Sequence, residues 1–210
     1  MRSSVLLILT LSTHAWGVPT LHPPRQALNA TSTACATGVH MIVARASTEM
    51  PGQGIIGAVA TQVQEMVPGS DSEAVDYPAT LTDYLKSEAS GVSAMTKLIQ
   101  DYAVRCPESK MALMGYSQMG DPTHVPGQPQ DVGNSTRAGI FPRMNTAACA
   151  GMAPITKSFC NDDDRFCDSG TSIPVHLAYV QGFGTQARDF VVARVTGNVA
   201  AKGNVTKRGW

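Results

Sequence analysis

The chain carries no excess of either charge: 16 Lys+Arg stand against 16 Asp+Glu, so its formal net charge is zero. It has no basic stripe of the kind that marks a nucleic-acid footprint, so nucleic acid is not an expected partner. No apolar run reaches the roughly twenty residues a membrane helix needs, and no membrane anchor is expected. Internal repeats are missing too, which sets solenoids and propellers aside. Its 210 residues suffice for one domain with a sizeable core and are too few for two comfortable ones.

What is present begins with an apolar opening. Residues 1–17 carry Arg2, then Val5 to Leu9, then Ala15-Trp16-Gly17, and read as a secretory signal peptide. A secreted, extracellular location follows, and disulfides are then permitted. The cysteines are Cys35, Cys106, Cys149, Cys160 and Cys167; an odd number leaves at least one thiol without a partner in the chain. Asn29, Asn134 and Asn204 each head a glycosylation sequon. Residues 18–34, with Pro19, Pro23 and Pro24, read as an exposed leader, 35–196 as the globular domain and 197–210 as a polar tail.

Within the domain, His40 to Ala46 is an apolar run suited to a buried strand. Ile55, Ile56, Val59, Val63, Met66 and Val67 follow at helical spacing and stop at Pro68-Gly69. Glu73 to Tyr77 is expected to be a second strand. Val92, Met95, Leu98, Ile99 and Tyr102 mark a second helix, ending by Cys106-Pro107. A third strand, through Met111 to Met114, leads into Gly115-Tyr116-Ser117-Gln118. Strands alternating with helices give an α/β fold with a parallel sheet covered by helices. Residues 120–154 read as long loops, Pro154 to Phe159 as a last strand, and Gly184 to Val195 as a closing helix.

An apolar strand that ends in a small residue, then serine, is the pattern of a turn that lifts a nucleophile above the sheet edge. Gly115 supplies the small residue before Ser117, but Met119 stands where the pattern wants a second glycine. The chain then lacks something. A parallel strand needs a returning crossover of a dozen or more residues, usually a helix. Here Gln118 runs through Met119-Gly120-Asp121-Pro122 straight into loop, leaving room for one helical turn at most.

A serine nucleophile requires a base, and the base an acid, which follow in the order serine, acid, histidine in such folds. Of the histidines beyond the leader, His40 opens a buried strand, and only His124 and His176 lie downstream of Ser117. Asp162, Asp163 and Asp164 lie between Ser117 and His176, inside the stretch from Cys160 to Cys167, and this favours His176. Spacing alone leaves the three aspartates open. The cysteine spacing does not fit the usual zinc patterns, and no metal is expected.

Four motifs in order, Arg45-Ala-Ser-Thr-Glu49, Gly115-Tyr-Ser-Gln118, Cys160-x-x-x-Asp-x-x-Cys167 and His176-Leu-Ala-Tyr179, resemble the secreted fungal cutinase and acetylxylan esterase family from about Cys35 to Val195. The resemblance implies a three-layer α/β-hydrolase with an open serine site. It implies hydrolysis of carboxylic esters (cutin, short acyl esters or acetylated xylan, hence a plant polymer) by an acyl-enzyme route without a cofactor, and a monomer is expected. It implies Ser117 as nucleophile, Asp164 as acid, His176 as base, and an oxyanion hole built from Ser47 and the backbone N–H of Gln118. It implies the bridges Cys35–Cys106 and Cys160–Cys167. It also implies an internal deletion after Gln118 of about thirty residues, one helix and one strand, which leaves Cys149 unpaired. Exon skipping or a misread intron would produce it. The alternative function is then a catalytically impaired or inactive secreted member of the family.

Overall fold

Val39–Ala44 is buried along its whole length and forms β1, the central strand. The molecule is known here from a computed structural model that describes residues 34–120, 127–128, 130–141 and 147–197, with backbone alone for 147–150. The described residues all belong to one compact unit. The signal peptide, residues 18–33 of the leader, Asn29, Asn204, His124, residues 198–210 of the tail and the Cys149 side chain lie outside the described residues.

From β1 the chain passes through α1 (Gly57–Met66) to β2 (Asp71–Ala74), then α2 (Tyr84–Arg105) to β3 (Lys110–Gly115). All three strands are parallel, in the order β2-β1-β3. β4 (Asp131–Val132) and β5 (Ser158–Phe159) form a second, parallel pair. The short α3 (Ile173–Leu177) and the closing α4 (Tyr179–Thr196) complete the chain.

Alternation along β1 divides the core. Val39, Met41 and Val43 pack with Val59, Ala60 and Val63 of α1 and with Val195 of α4, while Ile42 and Ala44 face Val75, Tyr77 and the α2 residues Met95, Leu98 and Ile99. This makes three layers, with α1 and α4 on one face and α2 on the other. The disulfide Cys35–Cys106 ties the segment before β1 to the end of α2.

Several expectations need correction. The second strand is Asp71–Ala74, not Glu73–Tyr77. Its sequence is polar because the imidazole of His40 lies against it: Nδ1 is 2.7 Å from Asp71 Oδ1, Nε2 is 2.8 Å from Glu73 Oε1, and the ring stacks on Tyr102. α2 starts at Tyr84, two turns before its apolar stripe, because the first turns are largely solvated. Pro154 lies in a 3₁₀ stretch, Ala147–Ile155, and the strand after it is only Ser158–Phe159. Residues 120–154, expected to be loop throughout, also contain β4.

After Ser117 the structure has one 3₁₀ turn, Ser117–Met119, and no crossover helix among the described residues. β3 is accordingly an edge strand among the described residues. Leu113 sits opposite the fully buried Ile42 in the register, yet is 53% exposed. Ile42→Ala is expected to lower stability by about 2–5 kcal/mol through the cavity it leaves. Leu113→Thr should change stability by about 1 kcal/mol or less, as at a surface position. Urea midpoints of the two variants check the contrast; equal losses would mean that Leu113 is covered in solution.

Candidate active site

Parallel strands place their carboxyl ends together, and Ser117 follows β3 there. Its backbone has φ +56°, a left-handed value that side chains seldom adopt. The strain is held from both sides. A Cβ on Gly115 would lie 1.8 Å from the Met119 carbonyl oxygen, so the turn closes only over glycine. Met119, where a second glycine was wanted, turns its side chain into the Tyr77–α2 layer; a Cβ on Gly91 of α2 would lie 2.7 Å from its sulfur. The missing side chain at Gly91 thus makes room for the Met119 thioether.

Gln118 anchors the turn. Its buried side chain accepts a hydrogen bond from Ser87 Oγ at 2.9 Å and donates to the Thr80 carbonyl at 3.1 Å. The backbone N–H of Gln118 is thereby carried on a turn fixed to α2.

His176 comes from α3, whose first turn is capped by Ser172 Oγ accepting from Val175 N–H. Its Nε2 lies 2.9 Å from Ser117 Oγ, and its Nδ1 lies 2.9 Å from Asp164 Oδ2. The carbonyl of His176 accepts from Tyr116 O–H at 2.6 Å. Burial pushes the Tyr116 phenol up to about 12, so it remains a donor at neutral pH.

Asp164 is fully buried inside the loop closed by Cys160–Cys167. Burial alone would push its carboxyl up. Hydrogen bonds from His176 and from the N–H groups of Cys167 and Phe166 outweigh that effect and hold it below the ordinary range. The neighbouring aspartates are occupied differently. Asp163 accepts from Thr171 N–H and O–H, and Asp162 faces solvent beside Arg137, 3.7 Å away.

Ser47 lies three residues past β1, at the same end of the sheet as Ser117. Its Oγ is buried and has no hydrogen-bond partner among the described residues. The loop that carries it is braced by Glu49, whose carboxylate accepts from the N–H groups of Ala46 and Ile55, and by buried Arg45, which donates to the carbonyls of Glu49, Val75 and Tyr77. The motif Arg45–Glu49 therefore has a mechanical basis.

Asp168 was not singled out by sequence. It is fully buried, and its carboxylate accepts from the N–H groups of Thr136, Arg137 and Asp163 and from the Arg137 guanidinium. Burial opposes its ionisation, but these donors prevail and lower the carboxyl to about 2. The folded-state value lies below the unfolded one, so the stability it adds is present above the ordinary aspartate range and is lost as pH falls towards 2. Its place directly after Cys167 was the available signal. Asn134, a sequon asparagine, is exposed and accepts from Asp162 N–H through Oδ1. Among the described residues no group of His, Cys, Asp and Glu has the arrangement of a metal site, and no helix is long and apolar enough to cross a membrane.

A hydroxyl bonded to an imidazole, itself bonded to a buried carboxylate, at the carboxyl end of a parallel sheet defines an α/β-hydrolase arrangement. Residues 35–195 match the cutinase family, and the chain belongs to it. Its relatives make it a carboxylic-ester hydrolase by kind. It is 27% identical to acetylxylan esterase 2 of Talaromyces purpureogenus, over 75% of this chain and 86% of that one. It is 26% identical to cutinase 11 of Verticillium dahliae, over 75% and 68% of the two chains. A solved acetylxylan esterase, at 26% identity, superposes with a TM-score of 0.71 over 77% of this chain and all of the other. The Talaromyces alignment runs through 203 positions but takes up only 75% of these 210 residues, so the relative has stretches without a counterpart here.

Proposed function

We propose that this protein is a secreted serine esterase acting through an acyl-enzyme, with Ser117 as nucleophile, His176 as base and Asp164 as the acid that orients it. The observation that carries the reading is the continuous chain Ser117 Oγ–His176 Nε2 and His176 Nδ1–Asp164 Oδ2, 2.9 Å at each step. Ser117 Oγ bonds to the ester carbonyl carbon while His176 takes its proton. The carbonyl oxygen, now anionic, accepts from Gln118 N–H and from Ser47, whose buried hydroxyl has no other partner among the described residues. His176 gives the proton to the departing alcohol, then draws one from water as water attacks the acyl-serine, and returns it to Ser117 Oγ as the acyl–oxygen bond breaks and the carboxylic acid leaves. No cofactor takes part.

The names of the relatives support cutin or acetylated xylan as substrates, short acyl esters are the simplest substrates of the same chemistry, and the two disulfides support an extracellular setting. The exposed Asn134 is the sequon open to a glycan among the described residues. A second reading, a catalytically impaired or inactive member of the family, draws support from the edge position of β3 and the exposed Leu113. Hydrolysis of a short p-nitrophenyl ester by the purified protein, beside Ser117→Ala, separates the two. A rate that disappears in the variant supports the esterase; equal rates end it.

A further inference from the structure

The Asp164 carboxylate receives more than the imidazole. Tyr179 O–H donates to Asp164 Oδ2 at 2.9 Å, the same oxygen that faces His176 Nδ1. The phenolic oxygen in turn accepts from Asn161 N–H at 2.8 Å and lies 3.5 Å from Cys167 Sγ. Its ring meets those of His176 and Tyr116 edge-on and stacks on Phe183. Tyr179 is therefore fixed from every side, with its donor aimed at the carboxylate, and Asp164 has no solvent exposure through which water could substitute.

We propose that Tyr179 is a positioning residue whose O–H shares the charge of Asp164 and so sets how tightly the Asp164–His176 pair holds its proton. The physical reason is competition for one anion. Each donor on a buried carboxylate stabilises the charge and lowers its pull on the next. With the phenol in place, Asp164 orients His176 yet lets the pair lose its proton at a lower pH. Burial raises the Tyr179 phenol well above its ordinary range, so it remains a donor through the working pH.

Other charges near the pair are few or already compensated. Asp163 is held by Thr171, Asp168 by Arg137, and Glu49 by backbone N–H groups, while Tyr116 is committed to the His176 carbonyl. Phe166 covers the imidazole with an uncharged ring at 4.5 Å. Tyr179 is thus, beside His176, the side-chain donor on Asp164 among the described residues, and its removal leaves the other charges in place.

For turnover the proposal rests on the assignment of Ser117, His176 and Asp164 to catalysis; its direct test does not. The proton affinity of the pair is followed by NMR through the His176 ring signals as pH is varied. In Tyr179→Phe the midpoint should rise by about half a unit to one unit, because the less compensated carboxylate favours imidazolium. With 3-fluorotyrosine at 179, a stronger donor of nearly unchanged shape, it should fall. The acidic limb of kcat/KM should move in the same two directions. Opposite shifts support the proposal, and a purely structural role would not produce them. An unchanged midpoint in both variants overturns it, whether or not the protein hydrolyses esters. If Tyr179→Phe does not fold, the fluorinated protein decides alone: a lowered midpoint supports the role and an unmoved one ends it. Should the wild type and Ser117→Ala hydrolyse the ester equally, the esterase reading fails while the titration still judges Tyr179.

Discussion

Ser117→Ala is expected to lower kcat for a short p-nitrophenyl ester by about 10⁴-fold or more, with little change in KM. On the proposed mechanism the hydroxyl forms the covalent bond, so no neighbouring group can replace it. His176→Ala should lose a similar factor, because a neutral hydroxyl without its base is a poor nucleophile. The double variant should be hardly worse than either single one. Residues that act in one step are lost together, and their separate losses do not multiply. Asp164→Asn should fall less far, since Ser117 and His176 stay in place while the imidazole loses the acceptor that fixes its tautomer. Steady-state rates for the four proteins, with circular dichroism to show that each is folded, provide the check. Losses that multiply in the double variant would mean that Ser117 and His176 do not work in the same step, whatever their separation.

The second large effect is expected from a residue that touches no substrate. In Gly115→Ala the new methyl would meet the Met119 carbonyl oxygen at 1.8 Å, a backbone atom that cannot turn aside as a side chain can. The turn must open, and Ser117 must move with it. A displacement of about one ångström at a nucleophile is enough to lose roughly 100-fold in rate, and overpacking should cost about 1–3 kcal/mol of stability. Both losses are expected, measured as kcat/KM and as the urea midpoint. Gly91→Ala is the informative companion. Its methyl would meet the Met119 sulfur, the flexible part of a side chain, at 2.7 Å and the buried Tyr77 ring at 2.9 Å, so Gly91→Ala combined with Met119→Gly should recover only the part of the loss that the sulfur causes. If Gly115→Ala retains full activity, the turn is not closed over this glycine as described.

The parts of the fold legible in sequence were those whose apolar pattern was dense. β1 is buried at all six positions and α1 keeps helical spacing up to Pro68-Gly69, so both could be read to within a few residues. β2 could not, because Asp71 and Glu73 owe their place to the buried imidazole of His40, a partner far away in sequence. The opening turns of α2 are solvated and leave no stripe, and the 3₁₀ path through Pro154 gives no periodic signal. At the candidate site, Ser117 and His176, which lie within hydrogen-bond distance of each other, were singled out from short motifs. The three adjacent aspartates were not separable by spacing alone; the resemblance pointed to Asp164, and burial and side-chain direction set it apart from Asp163 and Asp162. The reason Met119 is tolerated could not be read at all, since it depends on a glycine on a different helix.

The two halves of the site are mounted separately. Ser117 hangs from the central sheet, whereas Asp164, His176 and Tyr179 belong to one stretch that begins at the loop closed by Cys160–Cys167 and ends at the first residue of α4. A slide of one mount against the other by the length of a single hydrogen bond would silence the chemistry and leave almost every helix and strand intact. Catalysis is therefore the finer gauge of this molecule's integrity: on gentle warming, hydrolysis should fade before the ellipticity does.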